Sequence, residues 1–203
     1  MKKMVILLVL FACVSLAVSA QGFYFDLGLG IGKAWTKMEG IDFNKIWEAD
    51  LEISPDEIAF DINLRGGYGP IGNMPLYVVG ELGRMSHKFY DDEGYITFTS
   101  YLIGPGVIFY PIPLIQAGVS IGLSFADNQS DFLFMAASKI GYAYSISSAV
   151  DLGKGDHGFL LGLKYFHAFN MVSKESLNSS YIGIFAKYAY RKKVGKPVWP
   201  IGL

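Results

Sequence analysis

Cysteine is almost missing from this chain. Cys13 is the only one, and it lies inside the first twenty residues. No disulfide framework or thiol chemistry follows from it. Beyond residue 20 there is no apolar run of the ~20 residues that a membrane-spanning helix needs. An excess of positive charge is missing too. Seventeen Lys and Arg stand against eighteen Asp and Glu, a formal net charge of −1. Without Lys2 and Lys3 the balance is 15 against 18, or −3. That argues against nucleic acid as a partner. The three histidines have no metal-ligand spacing, and Asp91-Asp92-Glu93, the one acidic run that could hold a divalent cation, reads better as a solvated tip, so no metal or cofactor is expected.

What is plentiful sits oddly beside those absences. Apolar residues make up 52% of the chain and aromatics 15%, and there are 24 glycines. Such hydrophobicity without a long run fits strands that carry an apolar residue at every second position. Leu114 to Phe125, LIQAGVSIGLSF, shows this most cleanly. Ile115, Ala117, Val119, Ile121, Leu123 and Phe125 share one face. Leu114, Gln116, Gly118, Ser120, Gly122 and Ser124 share the other. A sheet facing water would carry Lys, Glu, Thr and Arg on its second face. Glycine and serine suit a tight interior, with the bulky apolar face turned outward into lipid. A soluble barrel of lipocalin type would reverse the two faces.

The pattern predicts an all-β chain of eight strands, at 23–35, 57–68, 76–89, 95–110, 114–125, 132–148, 159–169 and 179–190. Each approaches or exceeds the ~9–11 residues of a tilted bilayer crossing. The expected architecture is an eight-stranded, antiparallel, up-and-down transmembrane β-barrel over residues 21–190. Segment 36–56 is the longest polar connection and is rich in acid, with Glu39, Asp42, Glu48, Asp50, Glu52 and Asp56. It is the expected seat of any extracellular ligand. Pro105 cannot donate a ladder hydrogen bond, which predicts a bulge or break at Gly104-Pro105-Gly106. Aromatics crowd the strand ends, among them Phe23, Tyr68, Tyr77, Phe89, Tyr110, Phe125, Phe132 and Phe159, as two interfacial girdles would.

Residues 1–20, MKKMVILLVLFACVSLAVSA, have the form of a secretory signal peptide. Lys2 and Lys3 begin it, Val5 to Leu16 is its apolar centre, and Val18-Ser19-Ala20 is the small-residue cleavage site. A retained anchor helix and lipidation at Cys13 are the rival readings.

In the last predicted strand a glycine is followed by an apolar residue three on and an aromatic two further: Gly183, Ala186 and Tyr188. With that ending, and with the two-faced pattern over Phe23 to Tyr190, the chain resembles the small eight-stranded outer-membrane barrels of OmpA transmembrane domain, OmpX and OmpW type. The resemblance implies a place in the outer membrane of a Gram-negative-type bacterium, in contact with outer-membrane lipid. It implies that the barrel-assembly machinery reads Gly183, Ala186 and Tyr188. It also implies that both termini lie in the periplasm. Residues 191–203, RKKVGKPVWPIGL, are then a short periplasmic tail, and segment 36–56 faces outward. In these families the signal usually ends the chain, whereas here the tail follows it.

The inward parity carries Asp26, Asp61, Arg65, Glu81, Lys139, Lys164 and Lys187. The interior of an eight-stranded barrel is just wide enough to fill with side chains, so these charges must pair or be hydrated. Two clusters are expected. Asp26 should meet Lys187 and Arg65 on the periplasmic side, and Asp61 and Glu81 should meet Lys164 or Lys139 at mid-barrel. The expected function is a non-catalytic, structural or surface-exposed role with a lumen filled by charge. A narrow porin-like channel for small solutes is the alternative. A lipid-modifying enzyme is a third reading. His87 and His167, with Ser86, Ser173 and Glu175 in a loop's reach, would need mutual hydrogen bonds to form a Ser–His–acid site.

Overall fold

Alternation drives the chain into strands from residue 23 onward. The computed structural model describes residues 22–51, 55–71, 74–92, 94–130, 138–153, 155–172 and 175–191. In order, the elements are β1 (Phe23–Met38), β2 (Ile41–Asp42), α1 (Phe43–Leu51), β3 (Asp56–Tyr68), β4 (Leu76–Tyr90), β5 (Tyr95–Ile112), β6 (Ile115–Ser130), β7 (Lys139–Asp151), β8 (His157–Val172) and β9 (Glu175–Arg191). Two-residue β2 only extends the edge of β1. The other eight strands are antiparallel neighbours in chain order, and β1 pairs with β9 to close the barrel.

Pairing can be followed round the wall from Lys33. It passes through Ile182, Tyr165, Ile146, Val119, Val107, Val78 and Tyr68 and returns to β1 at Phe23. The circuit closes ten residues lower than it began. A stagger of that size means strands tilted by about 40°. At that tilt the outward side chains from Phe23 to Lys33 cover about 25 Å of height, the size of an apolar belt facing lipid.

The two faces separate cleanly. Ile121 is 62% exposed on the outside, whereas Ser120 beside it is 2% exposed on the inside. Aromatics ring both edges of the belt. Phe23 meets Tyr68 edge-on at 5.9 Å below. Tyr101 stacks on Phe125 at 4.6 Å above, and Tyr142 on Phe169 at 5.4 Å. Tyr77, Phe89 and Tyr110 do not join the girdles. Their parity is that of the lumen, and all three are buried there. Phe132 lies outside the described residues.

Several strands run past their expected ends, because pairing continues above the belt. β1 stays paired with β9 up to Met38, and β6 stays paired with β5 up to Ser130. At Pro105 the disruption is one-sided. β5 remains paired with β4 through Gly80 and Pro105. Its pairing with β6 skips Gly104 and Pro105 and resumes at Gly106 and Ser120 in the same register. A Cβ at Gly104 would collide with the β6 backbone at Ile121 and Gly122, so glycine allows this close approach. Segment 36–56 is not plain loop, since it contains the end of β1, β2 and α1. Arg191 is the last residue of β9 and not the first of a tail. The expected signal peptide and the rest of 191–203 lie outside the described residues.

Candidate functional site

The lumen is occupied level by level. At the lower end the Tyr24 hydroxyl donates to Asp26 Oδ2 at 2.5 Å. Arg65 grips the same carboxylate, with Nε 2.8 Å and Nη2 2.6 Å from Oδ2. Arg65 also donates to Gln116 Oε1 at 3.0 Å. Gln116 Nε2 donates in turn to the hydroxyls of Tyr24 and Tyr110, at 2.9 and 2.8 Å. Arg191 pairs with Asp151 and donates to Tyr110 at 2.8 Å.

The next level is joined to this one through Lys187. Its Nζ lies 3.9 Å from Asp26 Oδ1 and donates to Asn63 Oδ1 at 2.7 Å. Asn63 donates to Glu81 Oε1 at 2.5 Å, and Ser145 donates to the same carboxylate at 3.1 Å. Lys164 Nζ is 2.7 Å from Asp61 and 3.5 Å from Glu81. Arg65, Lys164 and Lys187 are all 2% exposed or less. Glycines make room for these long cations. A Cβ at Gly28 would occupy the position of the Lys187 Cγ, and one at Gly118 would meet the Arg65 guanidinium.

The structure therefore brings Asp26, Arg65 and Lys187 together, and Asp61, Glu81 and Lys164 together. Lys139 is the exception. It is exposed at the start of β7, where the pairing with β8 shifts register between Lys139 and Tyr142. The shift ends the regular alternation that its inward parity assumed, so it belongs to the rim and not the lumen.

Above the charges the filling becomes apolar. Met85, Leu102, Phe166 and Tyr181 pack across the bore with Ala34, Ala59, Ala143 and Ala168. A polar bridge follows, which the sequence reading missed. Thr36 Oγ1 lies 2.9 Å from His87 Nδ1, and His87 Nε2 lies 3.2 Å from Glu57 Oε2. The signal was a shared inward parity at the outer ends of three strands. Over this bridge sit Phe89, Ile96, Phe98, Val172 and Leu177. Helix α1 closes the mouth on them. The Phe43 ring is 4.6 Å from that of Phe98, and Trp47 Nε1 donates to Asp91 Oδ2 at 3.2 Å. Phe43 and Trp47 are four apart, on one helix face, a spacing legible in the sequence.

The wall has a seam between β1 and β3. β1 and β3 are paired only up to Gly32 and Ala59, six residues below the end of β1. Above that point a cleft of about 290 Å³ opens between β1, β3 and α1, lined by Lys33, Thr36, Asn44, Lys45, Glu57 and His87 among others.

The serine and histidine candidates do not converge. His87 faces the lumen, while Ser86 points to the other face of β4 and lies 3.1 Å from Thr99 Oγ1. His167 Nδ1 is 2.9 Å from Ser180 Oγ on the outer surface. Glu175 is exposed at the start of β9, and Ser173 lies outside the described residues. Of the residues expected to mark the last strand, Ala186 and Tyr188 face outward and Gly183 faces the lumen. The Tyr188 hydroxyl lies 2.6 Å from His157 Nδ1.

No protein-family model matches this chain, and no curated protein does. Solved structures do. Neisserial surface protein A matches with a TM-score of 0.52 at 14% identity, over 83% of this chain and 97% of that one. Ail, the attachment invasion locus protein of Yersinia pestis, solved in complex with the heparin analogue sucrose octasulfate, matches with a TM-score of 0.51 at 14% identity, over 84% of this chain and 100% of that one. This chain has the fold of the small eight-stranded outer-membrane barrels. At such identity the likeness is one of fold.

Proposed function

We propose that the protein is an integral barrel of the Gram-negative-type outer membrane with a structural or surface-exposed role, and that it neither conducts solutes nor catalyses a reaction. One observation carries this reading: the outside is apolar over a bilayer's height, while the inside is occupied at every level. Ion pairs fill the lower part, and Met85, Leu102 and Phe166, each 0% exposed, fill the part above them. A water-filled path would need both fillings displaced. The test is planar-bilayer recording of the refolded full chain, for which the reading predicts a quiet baseline. Stable ohmic steps would put the narrow-channel reading ahead, and an increase with Asp26→Asn would identify the ion pairs as its gate.

The outer membrane also supplies the partners of this reading. Lipid covers the outward face. The assembly machinery reads Gly183, Ala186 and Tyr188 on β9, and Tyr188→Ala should lower the amount of folded barrel in the outer membrane without lowering synthesis. An unchanged amount would remove the signal from the account. An extracellular ligand, if the protein has one, meets α1 and its neighbours, which crown the barrel at the end away from Phe23 and Arg191.

A further inference from the structure

Charge on the outer surface is placed unevenly. From the upper edge of the apolar belt upward β1 carries Lys33 and Lys37 and β4 carries Arg84 and Lys88, all on the outward parity. At the matching height β5 and β6 present Thr97, Asp127 and Gln129. The pairing that ends at Gly32 and Ala59 would next set Lys33 beside Ile58, and Ile58 pairs with Lys88. Lys33, at the foot of the seam, and Lys88 therefore flank β3 from either side, and Lys33 Nζ lies 4.0 Å from Glu57 Oε1 on β3. Arg84 lies in the upper girdle, paired with Ile62 on one side and Tyr101 on the other. Among the described residues no carboxylate forms an ion pair with Arg84 or Lys88. Lys88 Nζ is instead held over the Tyr95 ring at 4.5 Å.

Two further features adjoin this triangle of cations. Below it is bare apolar wall, with Ile31, Phe60, Ile62 and Leu82 all exposed. Beside it is the seam cleft, whose wall is rich in hydrogen-bond acceptors. Glu57 lines it, its carboxylate already near Lys33, Asn44 Nδ2 and His87 but with acceptor capacity left, and so does Asn44, whose Oδ1 is buried with no hydrogen-bond partner among the described residues. A ligand that suits all three parts has acyl chains for the wall, phosphate for the cations, and hydroxyl donors for the cleft.

We propose that the outward β1–β3–β4 face binds the phosphorylated sugar headgroup of an outer-leaflet glycolipid. Lys33, Arg84 and Lys88 hold phosphate oxygens through charge-assisted hydrogen bonds. Asn44 and Glu57 accept hydrogen bonds from sugar hydroxyls at the mouth of the seam. The proposal rests on the membrane placement argued above. Folding into phosphatidylcholine alone, read by heat-modifiable gel migration, tests that placement separately.

The experiment uses the full chain refolded in phosphatidylcholine nanodiscs doped with one of three probes: diphosphorylated lipid A, the same lipid without its phosphates, or phosphatidylglycerol. Lipid retained on detergent extraction is counted by native mass spectrometry. Lipid A should be retained over both other probes by about tenfold or more, the weight of one good charge-assisted contact. The triple variant Lys33→Gln/Arg84→Gln/Lys88→Gln should abolish the preference, while Lys139→Gln, a rim cation on β7, should keep it. Asn44→Ala should narrow the preference over phosphatidylglycerol. If the triple variant does not fold, Arg84→Gln and Lys88→Gln are read singly in the same way. Equal retention of either control lipid, or an unchanged preference in the folded variants, overturns the proposal. Displacement of lipid A by millimolar inorganic phosphate also overturns it, because the site would then be one for free anions.

Discussion

The lower part of the lumen is filled by paired charge, and the upper part by apolar side chains under a helix. Both parts face the same difficulty, a narrow bore that must be filled without leaving a charge unpaired. In the lower part Arg65 and Lys187 hold Asp26 between neighbouring strands, Arg191 on β9 holds Asp151 on β7, and Lys164 on β8 reaches across the bore to Asp61 on β3 and Glu81 on β4. In the upper part the ties are dispersion contacts, the Thr–His–Glu bridge and the hydrogen bond from Trp47 to Asp91. The difference has a consequence for stability. Removing one member of an ion-paired set leaves a buried charge behind, whereas trimming an apolar plug leaves a cavity that can relax.

The strongest way to break the lower part is Asp26→Asn. It deprives Arg65 of its only carboxylate among the described residues within 4.0 Å and removes one partner of Lys187. Urea unfolding in lipid vesicles should show a loss of about 3–5 kcal/mol. A loss well under that range would mean that water already screens the site.

Next in size is Ile121→Arg, which sharpens the contrast between the inside and the outside of the wall. Ile121 is 62% exposed near the middle of the belt. The change should cost about 2–4 kcal/mol in vesicles, as expected for a cation facing lipid at the midplane. In a water-facing wall it would be close to neutral.

The smallest expected effect is in the upper part. Trp47→Ala should undock α1 at a cost of about 2 kcal/mol against local opening, since the helix is a cap and not a strand of the closed sheet. Protease should then cut within 43–51 while the urea midpoint of the barrel stays in place. A large shift of that midpoint would make the helix part of the barrel's cooperative core.

The parts of the molecule that the sequence made legible are those that strict alternation governs. Parity assigned Asp26, Arg65, Glu81 and Lys164 to one face because each sits in an unbroken strand. It misassigned Lys139 because the register shift at the start of β7 leaves no trace in the alternation. Tyr77 and Tyr110 had the inward parity, but their position at strand ends made them look like girdle residues. Helix α1 was hidden by composition. Its polar residues read as loop, and only the spacing of Phe43 and Trp47 betrayed a packed face. The Thr36–His87–Glu57 bridge needs a register across three strands, and spacing along one chain does not supply it.

The account depends most on lipid covering the outward face of the wall. Spin labels at Val119, Ile121, Leu123, Phe125 and Asp127, placed one at a time in the refolded barrel in vesicles, test this along β6. Relaxation by dissolved oxygen should dominate from Val119 to Leu123, and relaxation by a water-soluble nickel chelate should take over at Asp127, above the Tyr101–Phe125 stack. Nickel dominating at all five positions would show a wall that faces water, and would contradict the placement of this barrel in a membrane.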